Sequence, residues 1–127
     1  MSRPRRSLAR DRSGATAVEA SLILPVLLLV LMGTMELGRM AWTQSALTYA
    51  VQEAARCAAV RPGVCGTPAD IRAYAVRRAS PLAVPPATFT AVEAGCGWEV
   101  QADLQYRFLL RALAPAGPTI RARTCRR

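Results

Sequence analysis

Apolar and polar residues follow a helical pattern in the first half of this chain. Residues 20–35 carry no charged side chain, and the first charges after them, Glu36 and Arg39, are spaced to pair on one helical face. Beyond Trp42, apolar residues recur at helical spacing. We therefore predict one helix over residues 15–59, whose outer part is amphipathic. Its apolar stripe consists of Leu37, Met40, Leu47, Val51, Ala54 and Ala58.

The second half of the chain has the pattern of one short helix followed by strands. Residues 61–66 break the long helix, and Thr67 before Pro68 is typical of an N-cap, which predicts a second helix that ends near Ala79. Alternating apolar and polar residues then predict half-buried antiparallel strands. These strands lie at residues 88–93, 96–104 and 119–124. The prediction is an α+β fold, in which the long helix packs on a small antiparallel sheet with one extra short helix.

The apolar run is long enough to cross a membrane if the helix continues through Trp42. Residues 20–35 alone span roughly 24 Å as a helix, against a hydrocarbon core of about 30 Å. Trp42 suits the membrane interface. A cleaved signal peptide is one alternative, but no suitable pair of small residues directly follows the run. A buried core helix is another, but the rest of the chain is too small to surround it. We therefore predict a transmembrane helix over residues 15–42.

Charge is unevenly distributed around this run. The chain has 17 basic residues and a net charge of +9, and all the basic residues are Arg. Arginines crowd the segment before the run, and few charges directly follow it, which predicts a cytoplasmic N-terminus and an extracytoplasmic C-terminal domain. A basic chain also suggests nucleic-acid binding. We expect none here, because aromatic and basic residues are not interleaved and charges are mixed between the two ends.

The residues available for chemistry argue against catalysis. The chain has no His, which excludes hydrolases built on Ser-His-Asp or Cys-His. Glu93, Glu99 and Asp103 alternate on predicted strands, as expected for a solvated face. We expect the chain not to be an enzyme, and we expect no cofactor, no metal and no small-molecule substrate.

Four cysteines lie on the predicted extracytoplasmic side, where an oxidising compartment favours two disulfides. They are Cys57, Cys65, Cys96 and Cys125. Three pairings are possible, and we favour Cys57–Cys65 and Cys96–Cys125. In the chain-entropy treatment these bonds stabilise the domain by roughly 2.5 and 3.5 kcal/mol respectively. Four free thiols or a four-cysteine zinc site are the alternatives, although the chain has no C-x-x-C pair.

Small residues recur every four positions along the outer part of the long helix. They are Ala46, Ala50, Ala54 and Ala58. Such a row lets another backbone approach closely. It predicts packing either against the chain's own sheet or against neighbouring subunits, and the pattern alone favours neither.

The boundary between the basic leader and the apolar run carries a more specific pattern. The leader ends in Gly14, and Glu19 follows five residues later at the start of the run. This resembles the processing site of type IV prepilins and pseudopilins. The resemblance implies that prepilin peptidase cuts after Gly14, which makes Ala15 the mature N-terminus and Glu19 the fifth residue.

A carboxylate at the mouth of a membrane helix is costly, which makes Glu19 a functional candidate. In a bundle of subunits it would pair with the free amine of a neighbour's Ala15 and set the stagger between subunits. The plainer interpretation is that lipid headgroups solvate Glu19 and that Gly14 is a flexible leader residue.

A longer stretch, residues 14–60, resembles the N-terminal module of the TadE-like family of the tight-adherence (Flp) pilus machinery. The matching pieces are residues 14–19, the Leu-rich run with Pro25, the ELGR step at 36–39 and the QEAAR segment at 52–56. The resemblance implies a minor pilin or pseudopilin in a bacterial inner membrane, with prepilin peptidase and other pilus-assembly subunits as partners. One departure is Ala20, where the family often has an aromatic residue. An unprocessed, membrane-anchored binding module is the alternative.

These inferences divide the chain into four parts. We predict a basic cytoplasmic leader at 1–14, a transmembrane helix at 15–42 and an extracytoplasmic continuation of that helix at 43–60. A small disulfide-stapled α+β domain follows at 61–127, and the resemblance implies that the whole is pilin-like.

Overall fold

The computed structural model describes residues 13–109 and 115–127. Most of the predicted leader and residues 110–114 therefore lie outside the described residues. The chain divides into two compact units, Met1–Met35 and Glu36–Arg127.

The first helix, α1, runs over Ser13–Val60 and passes through Pro25 without interruption. It confirms the predicted long helix, to within two residues at its start. In the first unit, every residue from 14 to 35 is exposed. Within the described part of the chain, α1 is the one helix long and apolar enough, by length and composition, to cross a membrane. This helix suggests a single-pass membrane anchor.

In the second unit, α1 contributes one face to a buried core. Leu47, Val51 and Ala54 of the predicted stripe are at most 1% exposed. Leu37, which we placed in the same stripe, is 63% exposed, so that prediction was wrong. Leu37 lies at the edge of the stripe and at the start of this unit, where the core no longer covers the helix.

The second helix, α2, spans Pro68–Arg78 and has the predicted start. The Thr67 side chain caps it by accepting a hydrogen bond from the Asp70 N–H at 3.2 Å. Ile71, Tyr74 and Ala75 form its buried face. α2 packs against the first strand of the sheet.

Three strands form an antiparallel sheet in the order β1-β2-β3, which confirms the predicted α+β fold. They are β1 at Phe89–Ala94, β2 at Gly97–Gln105 and β3 at Thr119–Arg126. A two-residue turn joins β1 to β2, and Gly97 directly after it has a φ of +106°. Any side chain there would also collide with the Arg126 carbonyl, so only glycine fits.

A single core cluster joins α1, α2 and the sheet. Its largest fully buried side chains are Phe89, Leu47, Ile71, Val51 and Val100. On its rim, the Gln44 side chain of α1 donates a hydrogen bond to the Arg121 carbonyl of β3 at 3.0 Å.

Two disulfides close loops around this core. Cys57 at the end of α1 is bonded to Cys65, and Cys96 before β2 is bonded to Cys125 of β3. These are the pairings that we favoured from the sequence. All four sulfurs are engaged in disulfides, and no cysteine is free among the described residues.

Candidate functional site

The predicted processing site lies at the very start of α1. Gly14, Ala15 and Glu19 are all helical and all exposed. A Cβ added to Gly14 would meet no neighbouring atom within 4 Å, so packing does not require glycine there. A peptidase that cleaves after Gly14 must open the first helical turn, which is the least costly turn to open because its N–H groups have no helical partners.

A different set of polar groups converges where the second unit begins. We call it the polar clamp; it consists of Glu36, Arg39, Tyr106, Arg107 and Leu109. One carboxylate oxygen of Glu36 lies 2.8 Å from the Arg39 guanidinium and 2.9 Å from the Tyr106 hydroxyl. The Leu109 N–H donates to the same oxygen at 3.3 Å. Arg39 also donates to the Tyr106 hydroxyl at 2.9 Å and to the Arg107 carbonyl.

The geometry of the clamp gives each polar group a partner. The Tyr106 hydroxyl accepts from Arg39 and donates to Glu36, so it bridges the two members of the ion pair. The Arg39 guanidinium also lies 5.0 Å from the centre of the Tyr106 ring, in cation–π range. The clamp therefore holds the end of β2 against α1 through charged hydrogen bonds, which are the stronger kind.

Tyr106 is the buried member of the clamp, at 4% exposure. Burial, and then the hydrogen bond to the Glu36 carboxylate, raise the pKa of Tyr106 above its ordinary value. The hydroxyl therefore keeps its proton at neutral pH and remains a donor to Glu36.

The sequence predicted the Glu36–Arg39 pair but missed Tyr106, which lies 67 residues after Arg39. A signal was present, because Tyr106 continues the apolar alternation of β2 one step beyond the predicted strand. Its N–H also bonds to the Pro118 carbonyl at 3.0 Å, which fixes the backbone just after β2.

The alanine row faces the interior of the second unit. Ala50 and Ala54 are fully buried, Ala58 is 5% exposed, and Ala46 is half-buried. Of the two interpretations left open, the structure therefore has the alanines packed against the chain's own core.

Two acidic residues of β2, Glu99 and Asp103, pair with arginines of β3. Glu99 lies 2.8 Å from Arg123, and Asp103 lies 3.0 Å from Arg121, in ion pairs across β2 and β3. Within residues 13–109 and 115–127, no cluster of three His, Cys, Asp or Glu side chains is placed to hold a metal.

An open groove runs beside the polar clamp in the second unit. Leu82, Val84 and Pro85 of the Pro-rich connection line one side, and Leu104 and Tyr106 line the other. Arg39, Asp103 and Arg107 also belong to its lining, and its chemistry indicates no specific ligand.

Comparison with known families gave a match to the first half of this chain. A family model described as TadE-like protein matches residues 14–56. The match covers the exposed apolar segment, Glu36 and Arg39 of the clamp, and most of the outer part of α1. It stops before the first disulfide. Neither the curated proteins nor the solved structures gave a match.

Proposed function

We propose that this chain is a minor pilin or pseudopilin-like structural subunit in the assembly of a tight-adherence (Flp-type) pilus, because a TadE-like family model matches residues 14–56. The family match itself implies a membrane-anchored helix and involvement in Tad pilus assembly. The proposal adds the structural role, placement in a bacterial inner membrane with the N-terminus cytoplasmic, and processing by prepilin peptidase. It assigns no catalytic step to this chain.

The fully exposed segment at residues 14–35 carries the proposal. An apolar helix that makes no core of its own must bury its side chains against lipid or against other helices. Glu19 is the one acidic residue in this segment, and it stands five positions after Gly14. Cleavage after Gly14 would free the Ala15 amine, a positive partner for the carboxylate of a neighbouring subunit.

The mass of the mature protein tests the processing step. The full chain is expressed in its native host, and its intact mass is measured. We expect loss of residues 1–14, with Ala15 first. A Gly14→Val variant should keep the leader, whereas the matched Gly33→Val variant should lose it, since added side chains at both glycines are unobstructed. A full-length mass for the unaltered chain contradicts the proposed processing.

Glu19→Gln tests the assembly step, because it removes the charge and keeps the size of the side chain. We expect this variant to be cleaved and stable but to give few or no pili. The matched control is Glu93→Gln, an exposed acidic residue on β1, which should leave pilus number unchanged. Normal pili with Glu19→Gln would contradict the stagger mechanism.

The alternative is an unprocessed membrane-anchored binding module, and the open groove beside the polar clamp is the observation that favours it. This alternative predicts a full-length mass and a monomer in the membrane. Crosslinking along the exposed side of α1, for example at Ser45, separates the two proposals. A structural subunit should crosslink to a neighbour there, and a solitary binding module should not.

A further inference from the structure

The segment that follows β2 is tied to the helix at the point where the apolar run ends. Glu36 directly follows Met35, the last residue of the run. The Leu109 N–H and the Tyr106 hydroxyl both donate to the Glu36 carboxylate, and Arg39 holds the Arg107 carbonyl. Residues 107–109 are therefore fixed close to the place where the chain leaves its apolar segment.

The side chains at the two ends of this tied segment, Arg107 and Leu109, are exposed, whereas Phe108 between them packs against the core. Leu109 is 62% exposed although its N–H is hydrogen-bonded, and the Arg107 side chain is exposed although its carbonyl is held. Leu37, next to Glu36, is also exposed. A single exposed apolar side chain is ordinary. Here the two apolar side chains and an arginine occur together beside the last residue of a membrane-length apolar run.

The position of residues 107–109 relative to the lipid bilayer follows from chain connectivity. Because the second unit begins at Glu36, we take the membrane span to end with the apolar run at Met35, and not at Trp42 as the sequence alone predicted. Glu36 then lies at the border of the hydrocarbon core, and the headgroup layer beyond it is about 5–8 Å thick in each leaflet. The Leu109 nitrogen lies 3.3 Å from the Glu36 carboxylate, so Leu109 belongs to that layer. The three donors that converge on Glu36 also lower the cost of placing a carboxylate there.

We propose that residues 107–109 form a second membrane contact, in which the Leu109 side chain enters the interfacial layer of the lipid bilayer and the Arg107 guanidinium binds lipid phosphate. Arginine fits phosphate through its fork of N–H donors, and its long aliphatic stem tolerates the interface. The charge of Glu36 is paired with that of Arg39, so the remaining charge of the segment is that of Arg107, which is positive and complements phosphate. The contact would fix the height of the second unit above the membrane. It requires the membrane anchor but not a role in pilus assembly.

Quenching by lipid tests the contact in the full chain. Trp42 and Trp98 are replaced by Phe, and one Trp is then introduced at a chosen site. The protein is reconstituted into phosphatidylcholine vesicles containing some phosphatidylglycerol, with lipids brominated near the headgroup end of the acyl chains. The test site is Leu109→Trp. Leu28→Trp, 49% exposed within the apolar run, reports insertion of the helix itself.

The matched negative control is Val92→Trp on β1. Val92 is 53% exposed, close to the value for Leu109, but it pairs with Glu99, seven residues along β2 from Tyr106. Seven strand residues correspond to roughly 23 Å. Because both residues are exposed, both substitutions should leave the fold intact, and circular dichroism checks this.

We expect bromolipid to quench the Leu28→Trp and Leu109→Trp variants strongly and the Val92→Trp variant little. Adding Arg107→Glu should reduce quenching of the Leu109→Trp variant, whereas Arg77→Glu on the exposed side of α2 should not. If Leu28→Trp is quenched and Leu109→Trp is quenched no more than Val92→Trp, the second contact is overturned while the anchor stands. If the Trp introduced at position 109 is shielded from acrylamide but is not quenched by bromolipid, a second copy of the chain covers this surface. That result would also overturn the proposal. None of these outcomes depends on cleavage or on pili.

Discussion

The two units of this chain use apolar residues in opposite ways. In residues 14–35 every side chain is exposed, and most of the large ones are aliphatic, with leucine the commonest. In the described part of Glu36–Arg127, nine of the nineteen buried apolar residues are alanines. The alanines are Ala50, Ala54, Ala55, Ala58, Ala75, Ala79, Ala91, Ala102 and Ala122. Large apolar area is therefore concentrated in the segment that cannot form a core, and the segment that forms a core has little of it.

This difference shows what holds each unit together. Burial free energy scales with apolar area, at roughly 25 cal/mol per Å², so a core rich in alanine is weakly stabilised by burial alone. Small domains with weak cores depend on crosslinks and on specific polar contacts. The second unit has two disulfides and the polar clamp, whereas the first unit depends on its surroundings. The following predictions test this contrast, from the largest effect to the smallest.

Truncating the largest buried side chain should separate the two units most clearly. Phe89 is fully buried, and Phe89→Ala should lower the free energy of unfolding of the second unit by about 3–5 kcal/mol, through lost burial and the cavity left behind. Urea unfolding of the full chain in detergent micelles, followed by Trp98 fluorescence, measures it.

The matched control lies in the first unit, where Leu27 is 49% exposed. Leu27→Ala should change the same unfolding free energy by less than about 0.5 kcal/mol. Equal effects of the two substitutions would contradict the proposed difference between the units, because they would mean that the apolar run supports the fold of the second unit.

Removing the disulfides should give the next largest effects, in an order set by loop length. The Cys96–Cys125 bond spans 29 residues and the Cys57–Cys65 bond spans 8. Replacing each pair by alanine should destabilise the second unit by roughly 3.5 and 2.5 kcal/mol respectively. Thermal unfolding with and without dithiothreitol measures this. As a control, a chain that lacks both bonds should have the same unfolding midpoint with and without dithiothreitol. If dithiothreitol also leaves the midpoint of the unaltered chain unchanged, the second unit does not depend on its disulfides.

Breaking the polar clamp should have a smaller effect. Tyr106→Phe removes only the hydroxyl that bridges Glu36 and Arg39, and should lower the free energy of unfolding by about 1 kcal/mol. Tyr49→Phe, on the exposed side of α1, should have almost no effect. If the two variants unfold alike, the clamp contributes nothing to the stability of the second unit.

The contribution of the Tyr106 hydroxyl to stability has a predictable pH dependence. The pKa of Tyr106 is raised by burial and by the Glu36 hydrogen bond, so the folded state favours the protonated hydroxyl. Its stabilising contribution is complete below the unfolded pKa of about 10 and is lost as pH rises through the higher folded pKa. Above about pH 10, the unaltered chain should therefore lose more stability than Tyr106→Phe. Parallel decline of the two chains would contradict a clamp that requires the protonated tyrosine.

Local signals in the sequence predicted most of the fold. The Thr67 cap and Pro68 gave the start of α2, because both act within one helical turn. The alternation at residues 96–104 gave the inward face of β2, where Val100 and Ala102 are fully buried. The favoured disulfide pairs are those that the structure contains, and they join elements that the pattern had already identified.

The features that the sequence did not predict correctly depend on long-range packing. Helical periodicity put Leu37 on the apolar stripe but does not say where the core stops covering the helix. The return of Tyr106 to Glu36, across 70 residues, depends on the direction in which the sheet crosses the helix. The processing role of Gly14 and Glu19 stays a prediction, since the fold neither needs nor forbids it.

The hydrogen bond from Gln44 to the Arg121 carbonyl has a consequence for crowding in the plane of the membrane. β3 is a border strand of the sheet, and the free backbone of such a strand can pair with the same strand of another molecule and start aggregation. The Gln44 amide occupies one acceptor on that border. Arg121 and Arg123, paired with Asp103 and Glu99, and the exposed Arg126 also place charged side chains along it. A second molecule is thereby discouraged from pairing its sheet with β3, even where neighbouring copies are crowded together in the membrane.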